Sequence, residues 1–153
     1  MIAIMSKTLI TRLSELVQRE QQFAAADILF RAGDPVRSLF LVVAGTIRLS
    51  RSLLHGSHLI LQRAGPGAIL AEASLFADRY HCEGEAVEDS VVSVVPMRRL
   101  EAALTKEPEL AHAWTHHLAL EVQRASACGN PFAEDRLRAG RRLDDGKRWT
   151  AAA

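Results

Sequence analysis

Cysteine is scarce in this sequence: only Cys82 and Cys128 occur. Two cysteines cannot form a disulfide framework or fill a four-cysteine zinc or iron–sulfur site. Long apolar runs are missing too, and none approaches the ~20 residues a membrane helix needs. The start, Met1 to Met5, is apolar but short, and Lys7 follows it rather than preceding it. That pattern is not a signal peptide, so a soluble, cytoplasmic protein is expected. A net charge of +1 excludes a strongly basic nucleic-acid binder or an acidic tail protein, taken over the whole chain. What is present is 153 residues, 48% of them hydrophobic, too apolar for wholesale disorder. The length fits one domain, or a smaller domain plus a tail.

Residues 6–19 have helical spacing. Ser6 is a candidate cap, and Leu9, Ile10, Leu13, Leu16 and Val17 form one apolar stripe. The polar stretch Gln18 to Gln22 closes this segment, giving an N-terminal helix region over 1–22. From 23 to about 95, short apolar runs recur: Ile28–Phe30, Leu39–Val43, Thr46–Leu49, His58–Leu61, Ile69–Leu70, Ala86–Val87 and Val91–Val95. Gly, Pro, Asp and Ser separate them, as in Gly33-Asp34-Pro35 and Gly65-Pro66-Gly67. Strands this short, with turns every ~8–12 residues, predict an antiparallel sandwich or barrel. Gly45 sits between two β-branched runs, where a hairpin needs a residue tolerant of positive φ. Helical spacing returns at Met97–Leu104 and again from Pro108 to about Ala127. The long helix carries Leu110, Trp114, Leu118 and Val122 in steps of four, and Ala113, His117 and Leu120 widen that face. So many large apolar groups require a cover, either the barrel or a second chain, and the stepping favours a two-stranded coiled coil. His117 lies on that face with Glu121, placed to titrate at a dimer interface. Gly129-Asn130-Pro131 stops the helix. Residues 128–153 read as a weakly ordered tail, with six Lys or Arg against four Asp or Glu after Cys128.

The stretch Ile28-Leu29-Phe30-Arg31-Ala32-Gly33-Asp34-Pro35, followed by Leu39-Phe40-Leu41-Val42-Val43-Ala44-Gly45-Thr46-Ile47, resembles the opening of a cyclic nucleotide-binding domain. The likeness continues through Pro66-Gly67 and the cassette Leu70-Ala71-Glu72-Ala73-Ser74-Leu75-Phe76 to the long helix. Over residues ~10–127 it is specifically similar to the sensor domain of the Crp/Fnr family of bacterial transcription regulators. The resemblance implies an α+β fold: an antiparallel β-roll of the jelly-roll type over 23–107, an N-terminal helix, and a dimerisation helix over 108–127. It also implies a homodimer and a small-molecule effector whose identity is open. In a nucleotide-binding relative, a short helix N-terminus offers N–H groups to the cyclic phosphate. A Glu accepts from the ribose, and an Arg about ten residues later pairs with the phosphate. Here Ala71 stands at the cassette Gly, Glu72 matches the ribose-binding Glu, and Ala73-Ser74 follow. The Arg position falls on Cys82, within His81-Cys82-Glu83.

Losing one partner of a buried charge pair costs ~3–5 kcal/mol, ~100–1,000-fold or more in affinity. Glu83 is expected to add repulsion, His81 offers charge only near or below its ordinary pKa of ~6.5, and Arg79 needs a loop shift to reach inward. The pocket is therefore expected to bind cAMP or cGMP poorly or not at all. His81-Cys82 also raises haem ligation or redox sensing, against a small residue filling a lost Arg site. No catalytic residue, metal or cofactor is assigned. Ser74 lacks a His/Asp partner set. His112 and His116 lack the Glu of a His-Glu-x-x-His motif. His55-Gly56-Ser57-His58 raises a cupin-like metal enzyme, but cupins want His-x-His with a Glu close by, and no Glu occurs between His58 and Glu72. A stand-alone small-molecule-binding module without a DNA role is the other alternative. The family's helix-turn-helix needs roughly 70 residues after the long helix. It is missing here, so DNA is a partner only if a reader is supplied elsewhere. Back-translation of Gly129 to Asp135 one base earlier permits an amphipathic helix to continue, which predicts a frameshift at Cys128.

Overall fold

The computed structural model describes residues 2–127, so the tail and the frameshift expectation lie outside the described residues. The chain divides into two units, Met1–Trp114 and Thr115–Ala153. The roll belongs entirely to the first.

Among the described residues, eight strands make two four-stranded sheets. In chain order they are β1 Arg19–Phe23, β2 Ile28–Phe30, β3 Ser38–Ala44, β4 Ile47–Ser52, β5 His58–Ala64, β6 Ile69–Leu70, β7 Glu83–Ala86 and β8 Ser90–Pro96. One sheet has the order β1-β8-β3-β6, the other β2-β7-β4-β5, and every pairing is antiparallel. The inward faces of both sheets meet in one core built on Phe23, Phe30, Phe40, Val42, Ile47, Leu49, Leu70, Val92 and Val94. Side chains alternate across a strand, so Val92 and Val94 face this core while Val95, also fully buried, faces the other way. Helices α1 (Ile2–Glu15) and α2 (Met97–Lys106) lie against β8. Their Leu9, Leu13 and Leu100 are fully buried. This is the expected antiparallel roll with flanking helices, and period-2 alternation against period-3.6 stripes explains why both kinds of element were legible.

Several boundaries differ from the sequence reading. Helix α1 already runs at Ile2, so Ser6 lies inside it rather than capping it, and it ends at Glu15. Leu16 N–H closes onto Leu13 O (3.0 Å), and Gln18 N–H then bonds Val94 O (2.9 Å). Residues read as the polar close of a helix are thus strand β1. It is an edge strand whose polar side chains face solvent and whose Phe23 turns into the core, so it lacks an apolar alternation to recognise. The run read at Ala86–Val87 is strand β7, displaced to Glu83–Ala86. Gly84 sets that position: a Cβ there would meet the Phe30 ring at 2.8 Å. Strand β4 continues to Ser52 rather than stopping at Leu49, and β5 continues to Ala64 rather than stopping at Leu61.

Helix α3 spans Pro108–Ala127 and begins where the Pro108 signal predicts; the Gly129 stop lies outside the described residues. Within the first unit its Leu110, Ala113 and Trp114 are buried. No described helix is long and apolar enough to cross a membrane.

Candidate functional site

The cassette follows β6. Ala71 takes the left-handed conformation (φ 67°, ψ 18°), and residues Glu72–Ser74 form one 3₁₀ turn closed by Ser74 N–H on Ala71 O at 3.0 Å. A left-handed Ala costs about 1 kcal/mol or more relative to Gly. The backbone therefore keeps the shape a Gly would adopt freely. Ala71 and Ser74 are buried, Glu72 half-buried, and Ala73 exposed. Leu75 is buried, whereas Phe76 projects into solvent at 90% exposure.

The segment that returns to the site is held by Tyr80. Its ring stacks on Phe30 at 4.4 Å. Its hydroxyl donates to Ser38 O at 2.7 Å and accepts from Ser38 N–H at 3.2 Å. Tyr80 N–H bonds Asp34 O and Gly33 N–H bonds Tyr80 O, tying the Gly33-Asp34 turn to the approach to β7. This anchoring fixes the three residues that follow. His81 is exposed, Cys82 is 3% exposed inside the roll, and Glu83 opens β7 on the other face. Glu83 accepts from Arg31 at 3.3 Å on the outside. The expected repulsion in the pocket therefore does not arise from Glu83: strand alternation turns it away from Cys82. Arg79 donates to Gly33 O at 2.7 Å and is exposed, so it does not enter the interior either.

Burial pushes the Cys82 thiol pKa up, the nearby Glu72 carboxylate pushes it further, and Arg51 pulls it back. A protonated, buried thiol is a weak nucleophile and a neutral lining group. Ala71 and Cys82 belong to the same buried core, and Ser74 is buried as well, while Ala73 and His81 are exposed. The sequence reading did not single out Arg51, because β4 was read to end two residues before it. The parity of Arg51 with Ile47 and Leu49 was the signal available.

The expected dimer-helix residues divide. Leu110 and Trp114 are buried within the first unit; His117, Leu118 and Glu121 are half-buried, and Val122 is 66% exposed. Among the described residues, no group of three or more His, Cys, Asp or Glu is gathered to hold a metal. His58 of the cupin-like motif lies at the hairpin end, its Nδ1 3.5 Å from Ser52 Oγ.

Residues 20–107 match the family model described as Cyclic nucleotide-binding domain. The chain is 26% identical over 112 residues to the anaerobic regulatory protein of Pasteurella multocida, covering 73% of this chain and 41% of that one. It is 24% identical over 111 residues to the transcriptional activator protein Anr of Pseudomonas aeruginosa, covering 72% and 46%. The chain therefore spans less than half the length of these relatives. Among solved structures, the catabolite activator protein of Thermus thermophilus superposes with a TM-score of 0.65 at 24% identity, covering 81% of this chain and 56% of that one. The sensor domain of the regulator DNR from Pseudomonas aeruginosa gives 0.63 at 19%, covering 75% and 91%. With more than half of its residues matched by the family model, the chain belongs to the cyclic nucleotide-binding domain family, and its relatives are Crp/Fnr-family regulators.

Proposed function

We propose that this chain is the sensor portion of a Crp/Fnr-type transcription regulator, with a roll over 23–107 that does not take cAMP in the family's way. The observation that carries this reading is Cys82, a neutral side chain 3% exposed where the family pattern has its phosphate-pairing arginine. The cassette backbone and Glu72 remain, so a small-molecule pocket is kept while the buried cation is lost. An uncompensated buried phosphate costs several kcal/mol. Neither His81 nor Arg79, both exposed, replaces that cation from within.

The relatives are regulators, which supports a regulatory rather than catalytic role and a cytoplasmic setting. The segment 108–127 is the dimerisation helix in this reading, with Leu118, Glu121 and Val122 available to a second copy and Leu110 and Trp114 serving the chain's own core. DNA is reached only through a reader supplied outside residues 1–127. Isothermal titration tests the effector claim. The expected result is no saturation with cAMP up to about 1 mM, and a micromolar dissociation constant would overturn it.

A further inference from the structure

Between Asp34 and Glu72 the sequence holds no Asp or Glu. The hairpin of β4 and β5 lies inside that stretch and carries Arg48, Arg51 and Arg63. The sheet sets two of these cations in one row. Ile28 of β2 faces Glu85 of β7, Glu85 faces Arg48 of β4, and Arg48 faces Arg63 of β5. Glu85 accepts from Arg48 at 2.7 Å, which leaves two cations side by side against one carboxylate. Like charges directly opposed across a ladder repel. Arg63 is exposed and joins no ion pair among the described residues. Beyond Arg63 the row is open, because β5 ends its sheet. The other edge strands are short or polar: β2 has three residues, β6 has two, and β1 exposes Arg19, Glu20 and Gln22. Strand β5 has seven residues and no proline, and it exposes Ile60 (47%) and Leu61 (45%) side by side. Leu61 is skipped in the register with β4, so a bulge brings neighbours rather than alternate residues to the surface.

We propose that β5 is a docking edge for an extended acidic segment of another protein, added to the sheet as a further strand with a carboxylate opposite Arg63 and apolar side chains against Leu61 and Ile60. The backbone groups of β5 on the side away from β4 meet no strand among the described residues. Main-chain hydrogen bonds to that edge supply affinity, and the alternate side chains supply specificity. A carboxylate beside Arg63 extends the row to Glu85, Arg48, Arg63 and a second anion, so that each cation has an opposed partner. An open edge is usually blunted by charge or proline. The one formal charge on β5 repels a basic strand and admits an acidic one. A second copy of β5 has no carboxylate to place there, so this edge is not self-complementary. The inference stands apart from the effector pocket, since no residue of the cassette takes part in it.

The test is fluorescence polarisation of labelled peptides titrated with the full chain. The peptides alternate Val and Thr, Val-Thr-Val-Thr-Glu-Thr-Val-Thr-Val, with Glu, Gln or Lys at the centre. The Glu peptide is expected to bind with a dissociation constant below about 100 μM. Gln at the centre is expected to weaken it roughly threefold, the contribution of an exposed cross-strand ion pair, and Lys to weaken it further. Arg63→Glu is expected to invert the order, so that the Lys peptide binds best. Only every second residue of an added strand bonds to the edge. N-methylation of one alternate set of amides in the Glu peptide is therefore expected to weaken binding about tenfold or more, and of the other set much less. No binding by any peptide, equal binding by all three, an unchanged order in Arg63→Glu, or N-methylation of either set without loss overturns the proposal. If Arg63→Glu does not fold, Arg63→Gln decides: it must bind the Glu and Gln peptides equally. A chain that binds no peptide but loses self-association in Arg63→Glu has a second copy on this edge, which also overturns the proposal.

Discussion

At the scale of single residues, burial and backbone conformation set what Cys82 and Ala71 contribute. Cys82 fills the interior with a neutral thiol, and Ala71 still holds a left-handed backbone that suits Gly better. His117 provides a second residue-scale consequence. Burial lowers its pKa, with Glu121 pulling it up and Arg124 pushing it down to lesser degrees. Its folded value lies below the ~6.5 of an unfolded chain, so the unfolded chain binds more protons as the pH falls. The stability it contributes is full above pH ~6.5 and is lost as pH falls through the folded value. The thermal midpoint is expected to fall between pH 7 and 5, and His117→Gln to flatten that decline. Circular dichroism melts at several pH values check this, and an unchanged slope in the variant would refute the assignment.

At the scale of elements, the β3–β4 hairpin shows how one glycine fixes a register. Gly45 has φ +82°, and a Cβ there would meet Asp89 O at 2.6 Å and clash with Ser90 Oγ. Both partners belong to the segment entering β8, so relief would displace the central strand of one sheet. Gly45→Ala is expected to cost about 3 kcal/mol or more, lowering the melting midpoint by roughly 6–12 °C. Gly33 has φ +90° with nothing within 4 Å of the added atom, so Gly33→Ala is expected to cost only about 1 kcal/mol. Equal losses in the two variants would show that backbone strain, not the close approach, decides. The hairpin was legible because Gly45 separates two β-branched runs. Strand β1 was not, because an edge strand with one inward Phe23 carries little periodic signal.

For the whole molecule, the open question is what the second half of α3 meets. Val122 is an exposed apolar residue on a helix whose earlier positions Leu110 and Trp114 are buried in the chain's own core. An exposed Val122 one turn beyond the half-buried Leu118 suits a second copy. Sedimentation equilibrium is expected to give twice the 16.8 kDa chain mass. Val122→Glu is expected to shift it toward one chain mass without lowering the roll's melting midpoint, because Val122 lies outside the first unit. A wild-type monomer at micromolar concentration would remove the dimer reading.

The sequence by itself determined the class of fold, the turns and the place of the long helix. Periodicity records which face of an element is buried, and Gly and Pro record where the backbone must bend. The cassette was legible as a run of neighbours. Only the tertiary structure decided what surrounds the Cys82 thiol. Glu83 turns outward onto Arg31, and Arg79 stays on Gly33. The partners of β4 in β7 lie more than thirty positions away, and a one-residue change of register exchanges the inner and outer faces. No local pattern holds that information.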